Sequence, residues 1–177
     1  MCVDALQENE KGLVDRAAIL SRWKVRHKRV LDLGAGPLAI IAARDFDCAV
    51  TTVEIAAVKI EEANREVEAE GLQARIAVEY GDARALSYPD RSFEVVIGYG
   101  LLHHLEPADR EKGIREAVRV SSELVIFAEL NADGFTKIHE LDEYRPVDLA
   151  WLERALVACG DLERYYGRLM NVYVVSR

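Results

Sequence analysis

The fold of this chain is constrained most by the segment 29–38, which reads Arg-Val-Leu-Asp-Leu-Gly-Ala-Gly-Pro-Leu. Its order predicts a buried strand, a tight turn, and a helix that begins near Pro37, where the missing N–H of proline is tolerated. Glycines let a ligand approach the main chain closely. Free amides at a helix start favour negative or electron-rich groups. The segment therefore predicts a cradle for a nucleotide-type cofactor.

The class of cofactor depends on Asp32, which precedes the first glycine. Gly34, Gly36 and Ala39 also fit a dinucleotide fingerprint, and Glu54 follows Gly34 by twenty residues, where a ribose-binding acid is expected. A diphosphate above this turn would be repelled by the Asp32 carboxylate. A cofactor that carries a sulfonium and an ammonium would be attracted to it. Asp32 therefore favours a cationic cofactor over a nicotinamide dinucleotide.

Composition limits the class of protein. Half of the 177 residues are hydrophobic, which is enough for one domain with one core, and the net charge of −8 offers a large anionic partner no overall attraction. No apolar run approaches the roughly 18 residues that cross a bilayer. The first residues are too polar for a signal peptide. Three scattered cysteines indicate neither a disulfide framework nor a zinc site. We expect one domain over residues 1–177, located in the cytoplasm.

Periodicity along the chain predicts an α/β fold, in which strand and helix alternate five times before a helix and two antiparallel strands. The parallel part of the sheet should be covered on both faces. We expect helices over residues 4–22, 56–70 and 147–159, and a further helix that begins near Pro107. We expect strands over residues 49–54, 75–80, 93–98, 124–129, 162–168 and 170–176. The stretch 130–146 should be irregular.

Four polar or aromatic residues lie at or just past the carboxyl end of a predicted strand. They are Asp32, Glu54, Asp82 and Tyr99. Ligands of open parallel sheets bind beyond the carboxyl ends of the strands. We therefore expect these four side chains along one edge of the sheet.

The chain resembles the class I methyltransferases that use S-adenosylmethionine, and within them the small type 11 group. The resemblance covers residues 28–130. It implies a Rossmann-like, doubly wound sheet of seven strands, mostly parallel with the last strand antiparallel, and S-adenosylhomocysteine as the product left by the cofactor. It rests on four motifs in the family's order: Val30-Leu31-Asp32-Leu33-Gly34-Ala35-Gly36, Val53-Glu54-Ile55, Gly81-Asp82-Ala83, and Phe93-Glu94-Val95-Val96-Ile97 followed by Leu101-Leu102-His103-His104-Leu105.

The resemblance implies a role for each motif. Gly34, Ala35 and Gly36 would lie against the methionine part of the cofactor, with Asp32 near its ammonium. Glu54, followed by Ile55, would accept hydrogen bonds from both ribose hydroxyls. Asp82 would bind the adenine amino group and Ala83 would offer its backbone N–H, while the ring of Tyr99 would line the methyl-donor pocket and attract the sulfonium. Leu38 stands where the family often has a third glycine.

Methyl transfer from a sulfonium requires a well-positioned nucleophile and the exclusion of water. A general base is needed only if the nucleophile arrives protonated. The candidates are Tyr99, His103 and His104, although both histidines could equally begin a helix. Glu129 and Asn131 could contact substrate or simply form a strand end and turn. We expect no metal, because neither Glu106 nor His139 completes a spaced ligand set with the histidine pair.

The acceptor is less constrained than the cofactor. Ile97-Gly98-Tyr99-Gly100 replaces the Asn/Asp-Pro-Pro-aromatic run of adenine amino methylation, and no cysteine lies on the cofactor edge to attack a pyrimidine. A small molecule is favoured over RNA or protein. The basic segment 22–29 is either a solvated linker or an anion contact in which Trp23 stacks on a base. Two other functions remain alternatives: a catalytically silent partner subunit, and an NAD-dependent oxidoreductase, although the chain lacks a Tyr-x-x-x-Lys motif. A homodimer is also possible.

Overall fold

The computed structural model describes residues 5–139 and 143–177, which form one mixed sheet with helices on both faces. The strands are β1 (Arg29–Leu33), β2 (Ala49–Glu54), β3 (Ile76–Tyr80), β4 (Phe93–Tyr99), β5 (Ser121–Leu130), β6 (Asp161–Tyr166) and β7 (Met170–Ser176). The helices are α1 (Arg16–Arg22), α2 (Pro37–Phe46), α3 (Ala57–Ala69), α4 (Arg110–Val120), α5 (Ala132–His139) and α6 (Leu149–Val157).

The seven strands lie in the order β3-β2-β1-β4-β5-β7-β6. Pairing is parallel from β3 through to β5, whereas β7 runs antiparallel to both of its neighbours. The predicted α/β class, with seven mostly parallel strands and an antiparallel last strand, is confirmed. The winding of the chain reverses between β1 and β4 in the middle of the sheet, which creates the switch point where ligands of such sheets bind.

Each face of the sheet carries its own apolar cluster. Successive side chains of a strand point to opposite faces, so Val30 packs in the cluster that contains Leu20 and Ala42, and Leu31 packs in the one that contains Ile114. All five of these side chains are essentially inaccessible to water. Burial on both faces explains why the central strands read as nearly continuous apolar runs.

Residue 4 of the helix predicted over residues 4–22 lies outside the described residues. Over the described residues, the first half of this prediction is wrong. α1 begins only at Arg16, where the Asp15 carboxylate accepts a hydrogen bond from the Ala18 N–H at 3.0 Å. Before it, the Asn9 side chain accepts hydrogen bonds from the N–H groups of Lys11 and Leu13, and Glu8 pairs with Val14. An asparagine that bonds to its neighbours' backbone favours a turn over a helix.

Two other expectations about the order of elements are wrong. Residues 81–92 connect β3 to β4 without a helix, so strand and helix do not alternate five times. The stretch 130–146 was expected to be irregular, but it contains α5. Gly134 does not interrupt α5 because it lies in the first turn, where Asn131 Oδ1 accepts its N–H at 2.9 Å.

Among the described residues, no helix combines the length and apolar character that spanning a bilayer would require.

Candidate functional site

A cleft of about 530 Å³ opens beyond the carboxyl ends of β1, β2, β3 and β4. Its volume lies within the range of small-molecule and cofactor sites. Most residues that the sequence places in a cofactor site line it. They are Gly34, Ala35, Glu54, Ile55, Asp82, Ala83 and Tyr99, joined by the catalytic candidate His104. Asp32, Gly36 and His103 are not among the lining residues.

The turn after β1 leaves its backbone open to a ligand. Gly34 has φ of +98°, a left-handed conformation that strongly favours glycine, and its N–H donates to the Val53 carbonyl at 2.9 Å. A Cβ added at Gly34 or Gly36 would meet no atom within 4 Å. The space above the turn is therefore free, and α2 begins directly behind it with Pro37 in its first turn. This shape fits a group that lies flat against the main chain, as the methionine part of S-adenosylmethionine would.

Glu54, at the end of β2, joins this turn to the start of α3. Its Oε1 accepts hydrogen bonds from the N–H groups of Ile55 at 2.8 Å and Ala56 at 3.0 Å, and its Oε2 accepts one from the Ala35 N–H at 3.3 Å. A carboxylate has about four acceptor sites. The three amides therefore orient Glu54 in the cleft and leave an acceptor site on Oε2 for a ligand hydroxyl.

Asp32 lies beneath the cleft and not on its surface. It is only 2% exposed, and the Thr52 hydroxyl donates to its Oδ2 at 3.2 Å. Burial raises the pKa of Asp32 to about 8, while the Thr52 hydrogen bond and the charge of Arg16 act in the opposite direction. Contact between Asp32 and a cofactor ammonium stays a prediction.

Asp82 is bound by a residue that the sequence analysis did not single out. The guanidinium of Arg84 donates to both Asp82 oxygens at 2.7–3.0 Å and also reaches Asp109 at 3.0 Å. Arg84 therefore lowers the pKa of Asp82. The short Asp-x-Arg spacing is the signal that could have indicated this pair. An adenine amino group would share the Asp82 carboxylate with Arg84, and Ala83 lies beside it with its side chain buried.

Tyr99, at the end of β4, is fixed by α1 and by the segment before it. The Arg16 guanidinium carbon lies 3.9 Å from the centre of the Tyr99 ring, and the Tyr99 hydroxyl donates to the Val14 carbonyl at 2.7 Å. Burial raises the pKa of Tyr99. The hydroxyl is thus a neutral donor with a protein partner, a poor starting point for a general base. Arg16 was missed because nothing in its sequence neighbourhood indicates that it reaches β4.

The adjacent histidines have different surroundings. His103 is buried and its Nδ1 binds Oε1 of Glu129, whose carboxylate also accepts hydrogen bonds from the N–H groups of Leu102 and Leu130. His104 lines the cleft. Partial desolvation, reinforced by the neighbouring His103, lowers the pKa of His104 to about 4. His104 therefore reaches the cleft as a neutral imidazole at pH 7, whereas His103 supports it from below.

A third histidine joins this pair from a distant part of the sequence. His139, at the end of α5, lies with its ring centre 4.8 Å from that of His103 and 5.9 Å from that of His104. One ring nitrogen from each of the three histidines lies within 4.8 Å of the others. The sequence alone indicates no ligand set that His139 would complete, because α5 was not expected. The structure therefore differs from that expectation and provides three convergent imidazoles.

Two other candidates are held by the protein itself. Asn131 donates from Nδ2 to the carbonyls of Gly167 and Arg168 and accepts from the Gly134 N–H, so its side chain connects β5 to the turn between β6 and β7. Glu129 is bound to His103 and is 1% exposed. Both have the structural surroundings that the sequence analysis kept as an alternative to substrate contact.

The basic segment 22–29 lies at the opposite edge of the sheet, leading into the amino end of β1. Several of its side chains pair with acids: Lys28 contacts Glu94 and Glu123, Arg29 contacts Glu94, and the indole N–H of Trp23 donates to Glu163 at 3.2 Å. This arrangement favours the linker interpretation over a nucleic-acid contact.

Comparison with known proteins gives the family. A family model described as a methyltransferase domain matches residues 30–123, which are 94 of the 177 residues. 27-O-demethylrifamycin SV methyltransferase of Amycolatopsis mediterranei is 38% identical over 117 residues, which cover 65% of this chain and 42% of that protein. Ajmaline N-methyltransferase of Rauvolfia serpentina is 27% identical over 130 residues, which cover 68% of this chain and 44% of that protein. The chain thus spans less than half the length of these curated relatives.

The fold is shared with solved structures. Magnesium protoporphyrin IX methyltransferase from Synechocystis PCC 6803, solved with bound S-adenosylmethionine, superposes with a TM-score of 0.71 at 15% identity over 92% of this chain and 76% of that chain. The family match covers the glycine turn, the acid at the end of β2 and the motif after β4, all at the cleft. The chain therefore belongs to the class I methyltransferases, whose methyl donor is S-adenosylmethionine.

Proposed function

We propose that the chain transfers the methyl group of S-adenosylmethionine to a small-molecule acceptor bound beside His104 and Tyr144. The observation that carries this proposal is a cleft of limited volume that has the cofactor turn at one end and a compact wall at the other. That wall is formed by Gly100, Leu101, His104, Leu105, Glu106 and Tyr144. The two curated relatives carry small molecules in their names, rifamycin and ajmaline, which supports the same acceptor class here.

The cofactor-binding roles belong to the same proposal. S-adenosylmethionine, when bound, supplies an electrophilic methyl group on a sulfonium. Gly34 and Ala35 would face its methionine part, Glu54 would accept from its ribose, and Asp82 with Ala83 would bind its adenine. The support is that these groups line one cleft and that the turn backbone is open. We further propose that residues 1–177 act as one domain, and the scattered cysteines support the reducing cytoplasm as its location.

On the acceptor side, the chain contributes mainly position and shielding. Leu101, Leu105 and Tyr144 offer apolar surface that would exclude water from the reacting atoms. His104 would accept a proton or a hydrogen bond through a neutral nitrogen, but the low pKa makes it a weak base. An acceptor whose nucleophilic atom already has a free lone pair at pH 7 suits this site best.

RNA or protein acceptors have less support. The one basic cluster that the sequence offered lies at the edge opposite the cleft and is paired with acids. A catalytically silent partner subunit would have the same cofactor cleft, so activity itself must separate this alternative from an enzyme.

A labelled-methyl assay tests the proposal. Purified chain and S-adenosylmethionine carrying a labelled methyl group are incubated with native extract, which is then separated into metabolites, RNA and protein. We expect label in the metabolite fraction, a strong reduction with Glu54→Gln, and no change with Glu62→Gln, which alters an exposed acid of α3. Label confined to RNA or protein would contradict the acceptor class. Cofactor binding without transfer to any fraction would identify a silent partner.

A further inference from the structure

We propose that His103, His104 and His139 bind one divalent transition-metal ion of the zinc class at the acceptor side of the cleft. The inference does not require the proposed acceptor class, because it rests on three side chains that converge in the structure. With an ion bound, His104 would act as a metal ligand and not as a proton acceptor. Imidazole nitrogen is the preferred ligand of Zn²⁺, Co²⁺, Ni²⁺ and Cu²⁺ among protein groups without sulfur.

The geometry is close to that of a three-histidine site. The three candidate nitrogens lie within 4.8 Å of one another. In a tetrahedral zinc site with bonds of about 2.0–2.1 Å, ligand nitrogens are roughly 3.3 Å apart. Rotation of the His104 ring, the exposed member of the three, would shorten its distances to the other two without moving the backbone, since Glu129 fixes His103.

A second observation also points to a metal. Histidine ligands usually donate their other ring N–H to a carboxylate, which fixes the ring and its tautomer. His103 has this arrangement, because its Nδ1 binds Glu129 and Glu129 is fixed by the N–H groups of Leu102 and Leu130. Nδ1 is thereby occupied, so Nε2 of His103 is the atom left to bind an ion.

The location leaves the ion a position for a further ligand. His104 and Tyr144 both line the cleft, and the ring centres of these residues are 4.2 Å apart. Three protein ligands leave a position for water or for an oxygen of the acceptor, as in catalytic zinc sites. The positive charge of Lys59 disfavours the binding of a cation here, and the negative charge of the buried Glu129 carboxylate partly offsets this repulsion. The ligand class would be an acceptor with an oxygen donor, for which the ion would serve as an anchor.

Aromatic packing alone is the competing explanation. Phe135 and Tyr144 contact the same histidine rings, with ring centres 5.4 Å and 5.2 Å from that of His139. His139→Phe separates the two explanations, because phenylalanine keeps a ring in this cluster and removes the ligand nitrogen. His27→Asn is the matched control. His27 is the remaining one of the four histidines, it is exposed, and its φ of +56° is one that asparagine tolerates.

The experiment is a titration of the untagged full chain with Co²⁺, followed by its visible d–d absorption, and with Zn²⁺, followed by calorimetry. We expect one ion per chain and the intense spectrum of four- or five-coordinate cobalt. His104→Ala and His139→Phe should each weaken binding at least about tenfold, Glu129→Gln by roughly 10–100-fold, and His27→Asn should leave it unchanged.

Absence of the cobalt spectrum, or equal affinity in His104→Ala, His139→Phe and the parent chain, would overturn the site. Circular dichroism and the affinity for S-adenosylmethionine are measured on the same samples. Lost metal binding with intact cofactor binding would count against the metal site alone. Lost cofactor binding with intact metal binding would count against the proposed function alone.

Discussion

The guanidinium of Arg16 stacks on the ring of Tyr99, with its carbon 3.9 Å from the ring centre. The contact joins the first turn of α1 to the end of β4 at the wall of the cleft. It also brings a positive charge close enough to lower the pKa of the buried Asp32, against the larger effect of burial. A residue outside every family motif thus influences the shape and the charge of the cleft.

This contact should stabilise the fold measurably. A cation over an aromatic ring contributes about 0.5–1 kcal/mol at a partly exposed site. We expect Arg16→Gln and Tyr99→Leu each to lower the free energy of unfolding, and the double variant to lose less than the sum of the two by about that amount. Urea unfolding of the four proteins gives the coupling energy, and strict additivity would show that the stacking contributes nothing.

Asp32 should make stability depend on pH. Its usual pKa is 3.8, and in the folded chain it is about 8. Between these values the folded chain keeps a proton that the unfolded chain has lost, so this group's contribution to stability falls as pH rises from about 4 to about 8 and is constant above that.

The variant Asp32→Asn removes this titration. Compared with the parent chain, we expect it to gain relative stability on the order of several kcal/mol between pH 4 and pH 8, at about 1.4 kcal/mol per pKa unit. Urea unfolding across this range measures the difference, and Asp161→Asn, at an exposed acid, serves as the control. A stability difference that does not vary with pH would contradict the buried, protonated Asp32.

Cofactor binding should release a proton from Asp32. If its carboxyl lies near the positive groups of S-adenosylmethionine, their charge favours the ionised form, and a group with a pKa of about 8 is mostly protonated at pH 7. Calorimetry at pH 7 in buffers with different ionisation enthalpies should show close to one proton released by the parent chain and none by Asp32→Asn. Equal proton counts would place Asp32 outside the influence of the cofactor.

Glu54 should determine cofactor affinity through its charge. Glu54→Gln keeps an oxygen for the Ile55 and Ala56 amides but presents a neutral group to the ribose. Hydrogen bonds to charged groups contribute about 1.5–3 kcal/mol each, so we expect affinity for S-adenosylmethionine to fall roughly 10- to 100-fold. Calorimetry with Glu62→Gln as the control measures this loss. An unchanged dissociation constant would remove Glu54 from the site.

Gly81 should tolerate no side chain unless the side chain of its neighbour Val53 is made smaller. A Cβ at this position would lie 2.9 Å from Cβ and Cγ1 of Val53. We expect Gly81→Ala to cost about 1–3 kcal/mol of stability, as overpacking does, and to weaken cofactor binding because both residues line the cleft. In the Gly81→Ala background, Val53→Ala should cost less than in the parent chain. Independent effects of the two changes in urea unfolding would contradict this clash.

Local patterns in the sequence were sufficient to predict the glycine turn and the residues at the strand ends. Periodicity, glycine spacing and acids after strands are short-range properties, so Gly34, Glu54, Asp82 and Tyr99 could be assigned to one edge of the sheet from the order of residues alone. The late start of α1 was not predicted, because hydrogen bonds from the backbone to the Asn9 side chain hold the preceding residues in a turn. The direct connection of β3 to β4 without a helix was not predicted either.

The partners that those residues meet depend on contacts between distant segments. The folded chain buries Asp32 against Thr52, joins Arg84 to Asp109, places Arg16 on Tyr99, and brings His139 to His103 from 36 positions along the chain. The contact of Asp32 with Thr52 comes from the pairing of β1 with β2, and the contacts of Arg16 and His139 come from how α1 and α5 pack against the strand ends. Pairing and packing depend on the whole apolar surface rather than on local spacing. The pattern along the chain therefore specified which residues stand at the strand ends, while the packing of distant segments specified their charged partners and the histidine cluster.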